Sequence, residues 1–238
     1  MNTRSLLDQL LNAGKDLLQN QNGGESNQTN QPAASGNSSP LGGLLGSIGG
    51  GALGGGAVSL LLGSKKARKM GGKVITYGGL AALGVVAYKA YSNWQSKQNQ
   101  PGAPALETPP RTVDRVPALE VEQHSQAILR AVIGAAKADG HIDDRERELI
   151  DGEVAKLTND PQLKQWFDQE LRKPLDPSDI AQSARTPEIA AEMYLASLIM
   201  VDEESYMERA YLDELARQLK LEPGLKSELE TQALAALR

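Results

Sequence analysis

The chain of 238 residues has no cysteine, one phenylalanine, two tryptophans and two histidines. Without cysteine there are no disulfides, no thiolate metal sites and no cysteine nucleophile. With aromatics at 4%, any core must be built from aliphatic side chains. No P-loop, GxSxG or HExxH motif occurs, and no serine has a histidine partner by motif. The expectation is a protein that is not an enzyme. The first residues, MNTRSLLDQLLNAGKDLL, lack the unbroken apolar run of a signal peptide, because Asp8 and Lys15 fall inside it.

Charge is divided unevenly. Residues 1–117 carry 11 basic against 5 acidic side chains, whereas 118–238 carry 14 against 25. The two halves are suited to different surroundings. The acidic half would repel phosphates, so no nucleic-acid partner is expected.

Composition marks five regions. Residues 1–20 place Leu6, Leu7, Leu10, Leu11, Leu17 and Leu18 on one side of a helix. The opposite face is not cationic, so this reads as an amphipathic helix that packs on a partner or on itself, in preference to lipid. Residues 21–40 are Asn, Gln, Ser and Gly with little to bury, which predicts a disordered linker. Residues 41–94 are apolar and glycine-rich. Residues 95–117 form a proline-rich spacer, and 118–238 an acidic helical domain.

Within 41–94, two uncharged stretches flank a basic knot made of Lys65, Lys66, Arg68, Lys69 and Lys73. The stretch 41–63 is about 34 Å long as a helix at 1.5 Å per residue, enough for a first span. Its glycines Gly42, Gly46, Gly50 and Gly54 recur every four residues, a small-xxx-small pattern that lets helices approach closely in lipid and form homo-oligomers. The stretch 74–91 is the stronger candidate span. Its uncharged part, at about 22 Å, is short of a hydrocarbon core about 30 Å thick. Lys73 and Lys89 can snorkel, and Tyr77, Tyr88, Tyr91 and Trp94 can sit at the interfaces. Positive loops stay in the cytoplasm. The predicted arrangement is therefore a bacterial inner-membrane protein with the knot cytoplasmic and the C-terminal domain periplasmic.

From Ala118 onward, apolar residues recur at helical spacing between short polar breaks, giving six or seven helices and no strand. The predicted fold class is all-α, a helical bundle tethered to a glycine-rich membrane segment. Two units repeat weakly: ILRAVIGAAKADGHIDDRERELI and AEMYLASLIMVDEESYMERAYLDEL. Each is an apolar helix ending at an aspartate, an acidic turn and a charged helix. In the first turn, Asp139, Gly140, Asp143 and Glu146 reproduce the second half of a calcium EF-hand loop. Positions 1 and 3 of that loop would be Ala135 and Lys137, which excludes an EF-hand. A divalent cation, calcium or another, then needs further oxygens from Asp202, Glu203, Glu204 or Glu208. The competing reading is purely structural, with Asp139-Gly140 a turn and Asp143 and Glu146 a helix cap. His124 stands alone in its helix and carries no assigned role.

KADGHIDDRE at 137–146, with VDEESYMERAYLDELARQLKL at 201–221, resembles the TerB-like domain of tellurite-resistance proteins. The layout of the chain is similar to a YebE-like branch of inner-membrane proteins of unknown function. This resemblance implies a helical bundle with two pseudo-symmetric halves and acidic residues that bind divalent metal. Matched position by position, it points to Asp139, Asp143, Glu146, Asp202 and Glu208. Glu203 and Ser205 stand where the first turn has Gly140 and Ile142. The functional expectation is a membrane-anchored, metal-responsive module acting through a protein partner in envelope, metal or tellurite stress. The alternative is an oligomerising scaffold with no ligand.

Overall fold

Pro161, Pro177 and Pro187 each occupy the first turn of a helix in the computed structural model of the chain, and each follows a capping side chain. Asp160 accepts from the N–H groups of Gln162 and Leu163 at 2.9 and 3.3 Å. Asp176 accepts from Ser178 at 2.8 Å, and Thr186 from Ile189 at 3.3 Å. The first helical N–H has no partner inside the helix, so proline costs nothing there, and the cap satisfies its neighbours. The prolines that break the pattern in sequence are thus start signals.

The structure describes residues 2–8, 79–98, 109–138, 142, 144–201 and 205–236. Residues 3–8 are helical. The helices that follow are α1 (Gly79–Gln98), α2 (Ala118–Ala136), α3 (Asp144–Leu157), α4 (Pro161–Arg172), α5 (Pro177–Ala181), α6 (Pro187–Met200), α7 (Tyr206–Gln218) and α8 (Pro223–Ala236). No strand occurs among the described residues. The chain is all-α, as its periodicity predicts, and α2 to α8 account for the helices expected after Ala118.

The centre is α6. Every residue from Ile189 to Leu198 is buried, as expected of a helix that is apolar on all faces. It lies against α2, α1, α8 and α7. The two apolar helices of the sequence repeat, α2 and α6, are therefore direct neighbours. On the outside, α5 packs on α7 and α2, and α4 on α3 and α2.

The principal correction concerns 74–91. Its described part belongs to α1, which packs on α8 and α6. Leu80, Leu83, Ala87 and Ala90 are buried on one side, while Val85 and Lys89 face out. Past Tyr91 the helix turns polar, and Asn93 and Lys97 bond Glu228 of α8 at 2.9 and 2.6 Å. A spanning helix needs about 20 consecutive apolar residues; here an i, i+3, i+4 stripe gives a helix buried on one side against the bundle. Among the described residues no helix is long and apolar enough to cross a membrane. Burying Leu80 and Leu83 contributes roughly 1.5–3 kcal/mol each.

The folded unit also reaches the other end of the chain. Leu6 and Leu7 are buried in the same core. The Thr3 N–H and hydroxyl donate to Glu122 Oε1 on α2 at 2.7 and 2.6 Å. The leucine stripe thus packs, in its described part, on the chain's own bundle. The proposed border at residue 118 does not bound this unit, since α1 and residues 3–8 are part of its core.

Candidate binding groove

Of the five residues proposed as metal ligands, Asp139, Asp143 and Asp202 lie outside the described residues, as does the side chain of Glu146 within α3. Glu208 is described. It is buried near the start of α7, and its N–H donates to the N-cap Ser205 Oγ at 3.4 Å. No group of three or more potential ligands occurs among the described residues. Lys65, Lys66, Arg68, Lys69 and Lys73, with Gly42, Gly46, Gly50 and Gly54, also lie outside them.

Lys137, whose charge rules out an EF-hand, has a structural task. Its Nζ donates to the carbonyls of Glu170 and Lys173 at 2.9 and 2.8 Å, closing the C-terminal end of α4. A cation there complements the helix dipole. Burial pulls the Lys137 ammonium below the usual lysine range, and Glu170 partly restores it. Burial also raises the Glu170 carboxyl. Bonds from Arg130 at 2.6 Å and Lys173 at 2.7 Å outweigh that and hold it below the ordinary value.

His124 is not alone. Its Nδ1 meets Oε2 of Glu192 at 2.5 Å, and Glu192 Oε1 accepts from the Val113 N–H at 2.5 Å. Glu192 is 0% exposed and His124 3%. Burial pushes the Glu192 carboxyl up, while His124 and the Val113 N–H pull it back. The pair ties α2, α6 and residues 112–114 together. The same loop presses on α1, where a Cβ on Gly84 would lie 2.6 Å from Asp114 Oδ1 and 3.0 Å from its backbone nitrogen. The arrangement is sealed from solvent, so it fastens the fold and has no access to a substrate. Its sequence signal is Glu192 itself, a lone acid at the centre of the apolar run IAAEMYLASLIM, since a buried charge requires a partner.

An open concavity lies elsewhere among the described residues, between α1, the α5–α6 loop and the α7–α8 turn. It has a volume of about 610 Å³. Tyr91 and Trp94 form its aromatic wall, with ring centroids 5.3 Å apart in an edge-to-face arrangement. Leu219, Leu221 and Leu225 extend the apolar surface, and Gln182, Gln218 and Ser178 add amide and hydroxyl groups. Arg185, Lys220 and Glu222 supply the charge. Burial raises the Tyr91 phenol, and the nearby Glu188 adds to it. The Trp94 indole fits because position 224 is glycine: a Cβ there would lie 3.2 Å from the ring. In sequence Tyr91 and Trp94 read as membrane-interface anchors; in the fold they line a groove on a bundle. The mixture of apolar wall and a few polar groups at this volume is that of a ligand or peptide site.

This helical unit, α1 included, is what a family model recognises: "Protein of unknown function (DUF533)" matches residues 47–233. The chain belongs to the DUF533 family. DUF533 is a TerB-like family, so the resemblance read from the two acidic turns holds at that level. A curated relative, "Uncharacterized protein in ampR 5'region" of Yersinia enterocolitica, is 31% identical over 110 residues. That alignment spans 46% of this chain and 79% of the relative. No solved structure matches. The DUF533 match begins well before residue 118, in keeping with a folded unit that includes α1.

Proposed function

We propose that this DUF533 protein is a non-catalytic interaction module of the YebE-like branch. It works at the cytoplasmic face of the bacterial inner membrane and binds a protein partner in its aromatic groove. The observation that carries the reading is the groove itself, where Tyr91 and Trp94 line an open cleft of about 610 Å³. The buried acid Glu192 is sealed from solvent, which supports a binding role over catalysis at that pair.

Membrane attachment rests on 41–63 and the basic knot. Only residues 74–78 separate Lys73 from α1, far fewer than the roughly 20 a span requires. The knot and the bundle therefore share a side, and the positive charge of the knot favours the cytoplasm. The bond between Thr3 and Glu122 holds residues 3–8 on that same side. Attachment through 41–63 is proposed to be re-entrant or peripheral. This reading takes the cytoplasmic arrangement in place of the periplasmic one, which rests on a span at 74–91.

A photo-crosslinking residue at Gln182, in the groove, tests the binding role in intact cells, with Gln169 on α4 as control. One adduct specific to Gln182, lost when Ala184→Trp fills the groove, is expected. Equal labelling from both positions counts against the reading. The proposal retains a divalent cation at Asp139, Asp143, Glu146, Asp202 and Glu208 as a regulator. Calorimetric titration of the full chain with Ca²⁺, Mg²⁺, Mn²⁺ and Zn²⁺ should show saturable binding. That binding should be lost in a still-folded Asp139→Asn/Asp202→Asn variant; without it these residues are turns and caps.

A further inference from the structure

We infer that the groove takes an extended peptide whose acidic side chains meet Arg185 and Lys220 and whose apolar side chains lie on Tyr91, Trp94 and Leu225. This rests on the groove being the interaction site proposed above, and adds the chemistry of its partner.

The first support is the state of the two cations. Many basic side chains of this acidic bundle are taken up by acids of the same fold, while Lys89, Lys164 and Arg209, away from the groove, have no such partner among the described residues. Arg130 bonds Glu170, Arg172 bonds Asp168, Arg217 bonds Glu214, and Lys226 bonds Asp213 and Glu230. Arg185 and Lys220 both line the groove. Among the described residues neither has a hydrogen-bond or ion-pair partner for its side chain. Two unpaired cations beside an aromatic wall complement a chain that alternates carboxylates with apolar groups. Glu222 at the mouth and Glu188 near Tyr91 oppose an anion. They restrict where the partner's acids can lie, leaving the Arg185 and Lys220 positions.

The second support is the backbone of Lys220. It has φ 54°, the left-handed conformation, and it is the one non-glycine with positive φ among the described residues. It follows α7 in a C-terminal cap: the Leu221 N–H donates to the Ala216 carbonyl at 3.1 Å, and the Lys220 N–H to Arg217 at 3.1 Å. Glycine is the usual occupant of such a cap because it adopts that φ without strain. A side chain held there at a conformational cost, on a residue that lines the groove, points to a use for its ammonium. Gln182, Gln218 and Ser178 in the lining can pair with the backbone of an extended peptide.

The test pans a display library of random 12-residue peptides on the full chain and measures the selected peptides by fluorescence anisotropy. The variants are Arg185→Glu, Lys220→Glu and Lys220→Gly, all at exposed positions. The expected peptides are net acidic with interspersed apolar residues. Each charge reversal weakens their binding about tenfold or more, as loss of a charge-assisted contact does. Lys220→Gly is the decisive variant: it relaxes the backbone and removes the ammonium, so thermal stability holds or rises while affinity falls. Neutral or basic peptides that are displaced by Ala184→Trp would overturn the acidic partner and leave the groove as an interaction site. Binding unaffected by all three variants and by Ala184→Trp would overturn both. Vesicles of phosphatidylglycerol that bind through Arg185 and Lys220 while no peptide does would assign the cations to a membrane surface and overturn the peptide.

Discussion

Lys97 on α1 and Glu228 on α8 meet at 2.6 Å, with Asn93 and Gln232 each adding a bond to the same carboxylate at 2.9 Å. These bonds hold the Glu228 carboxyl down to about 2, against an ordinary value of 4.5. A depressed acid stabilises the fold fully above its unfolded pKa, and that contribution is lost as pH falls from about 4.5 towards 2. The α1–α8 contact should therefore loosen in acid before the α2–α6 contact does. Glu228→Gln should lower the melting temperature at pH 7 and flatten its fall between pH 4.5 and 2. An unchanged acid limb in circular dichroism melts would remove Glu228 from this role.

Two glycines in helices should respond oppositely to alanine. Gly152 on α3 has nothing within 4 Å of a built Cβ. Gly152→Ala should gain about 0.5–1 kcal/mol from helix propensity and reduced chain entropy. Gly84 on α1 has Asp114 and Val113 within 3.0 Å, including a backbone atom that cannot rotate away. Overpacking costs about 1–3 kcal/mol, so Gly84→Ala should lose stability despite the same gain in propensity. Urea denaturation of both variants checks the sign of each.

The buried pair of Glu192 and His124 predicts a difference between two substitutions. Glu192→Ala leaves the Val113 N–H and the His124 ring without partners, at about 1–3 kcal/mol for an unsatisfied buried group. Glu192→Gln keeps a carbonyl for Val113 and removes a charge from a fully buried site. Because the folded carboxyl is raised, its contribution is present below the unfolded pKa and lost as pH rises through the folded one. Glu192→Gln should thus match or exceed the parent in stability at pH 7.5, and melts across pH 4.5–8 should show a flatter profile.

The absence of cysteine makes the chain a clean background for a topology test. A single Gln165→Cys on the outside of α4 should react with an impermeant maleimide only after cells are opened, since the bundle is proposed to face the cytoplasm. Labelling of intact spheroplasts would return it to the periplasm.

The helices of the acidic half were legible because their signals are local: a proline preceded by Asp or Thr, a serine before Tyr206, and apolar residues at helical spacing. The position of α1 was not. Leu80, Leu83, Ala87 and Ala90 satisfy the hydropathy of a span and the stripe of a bundle helix alike, and only the partner on α8, more than a hundred residues later, separates the two. The groove was hidden for the same reason. Tyr91 and Trp94 come from α1, Arg185 from the α5–α6 loop and Lys220 from the α7–α8 turn, so no stretch of sequence holds it. The Glu192–His124 pair left one trace, an acid in an apolar helix, whose partner sits 68 positions away.

The contact of α1 with α8 also sets an order of events during synthesis. About 125 residues separate the end of α1 from the start of α8, which takes about 6–25 s at 5–20 residues per second. Throughout that interval the surface formed by Leu80, Leu83, Ala87 and Ala90 has left the ribosome without the helix that will cover it. A chaperone is the natural shelter for such a stripe. A fragment cut at residue 118 would meet the opposite difficulty, with α6 and α8 finished and their cover missing.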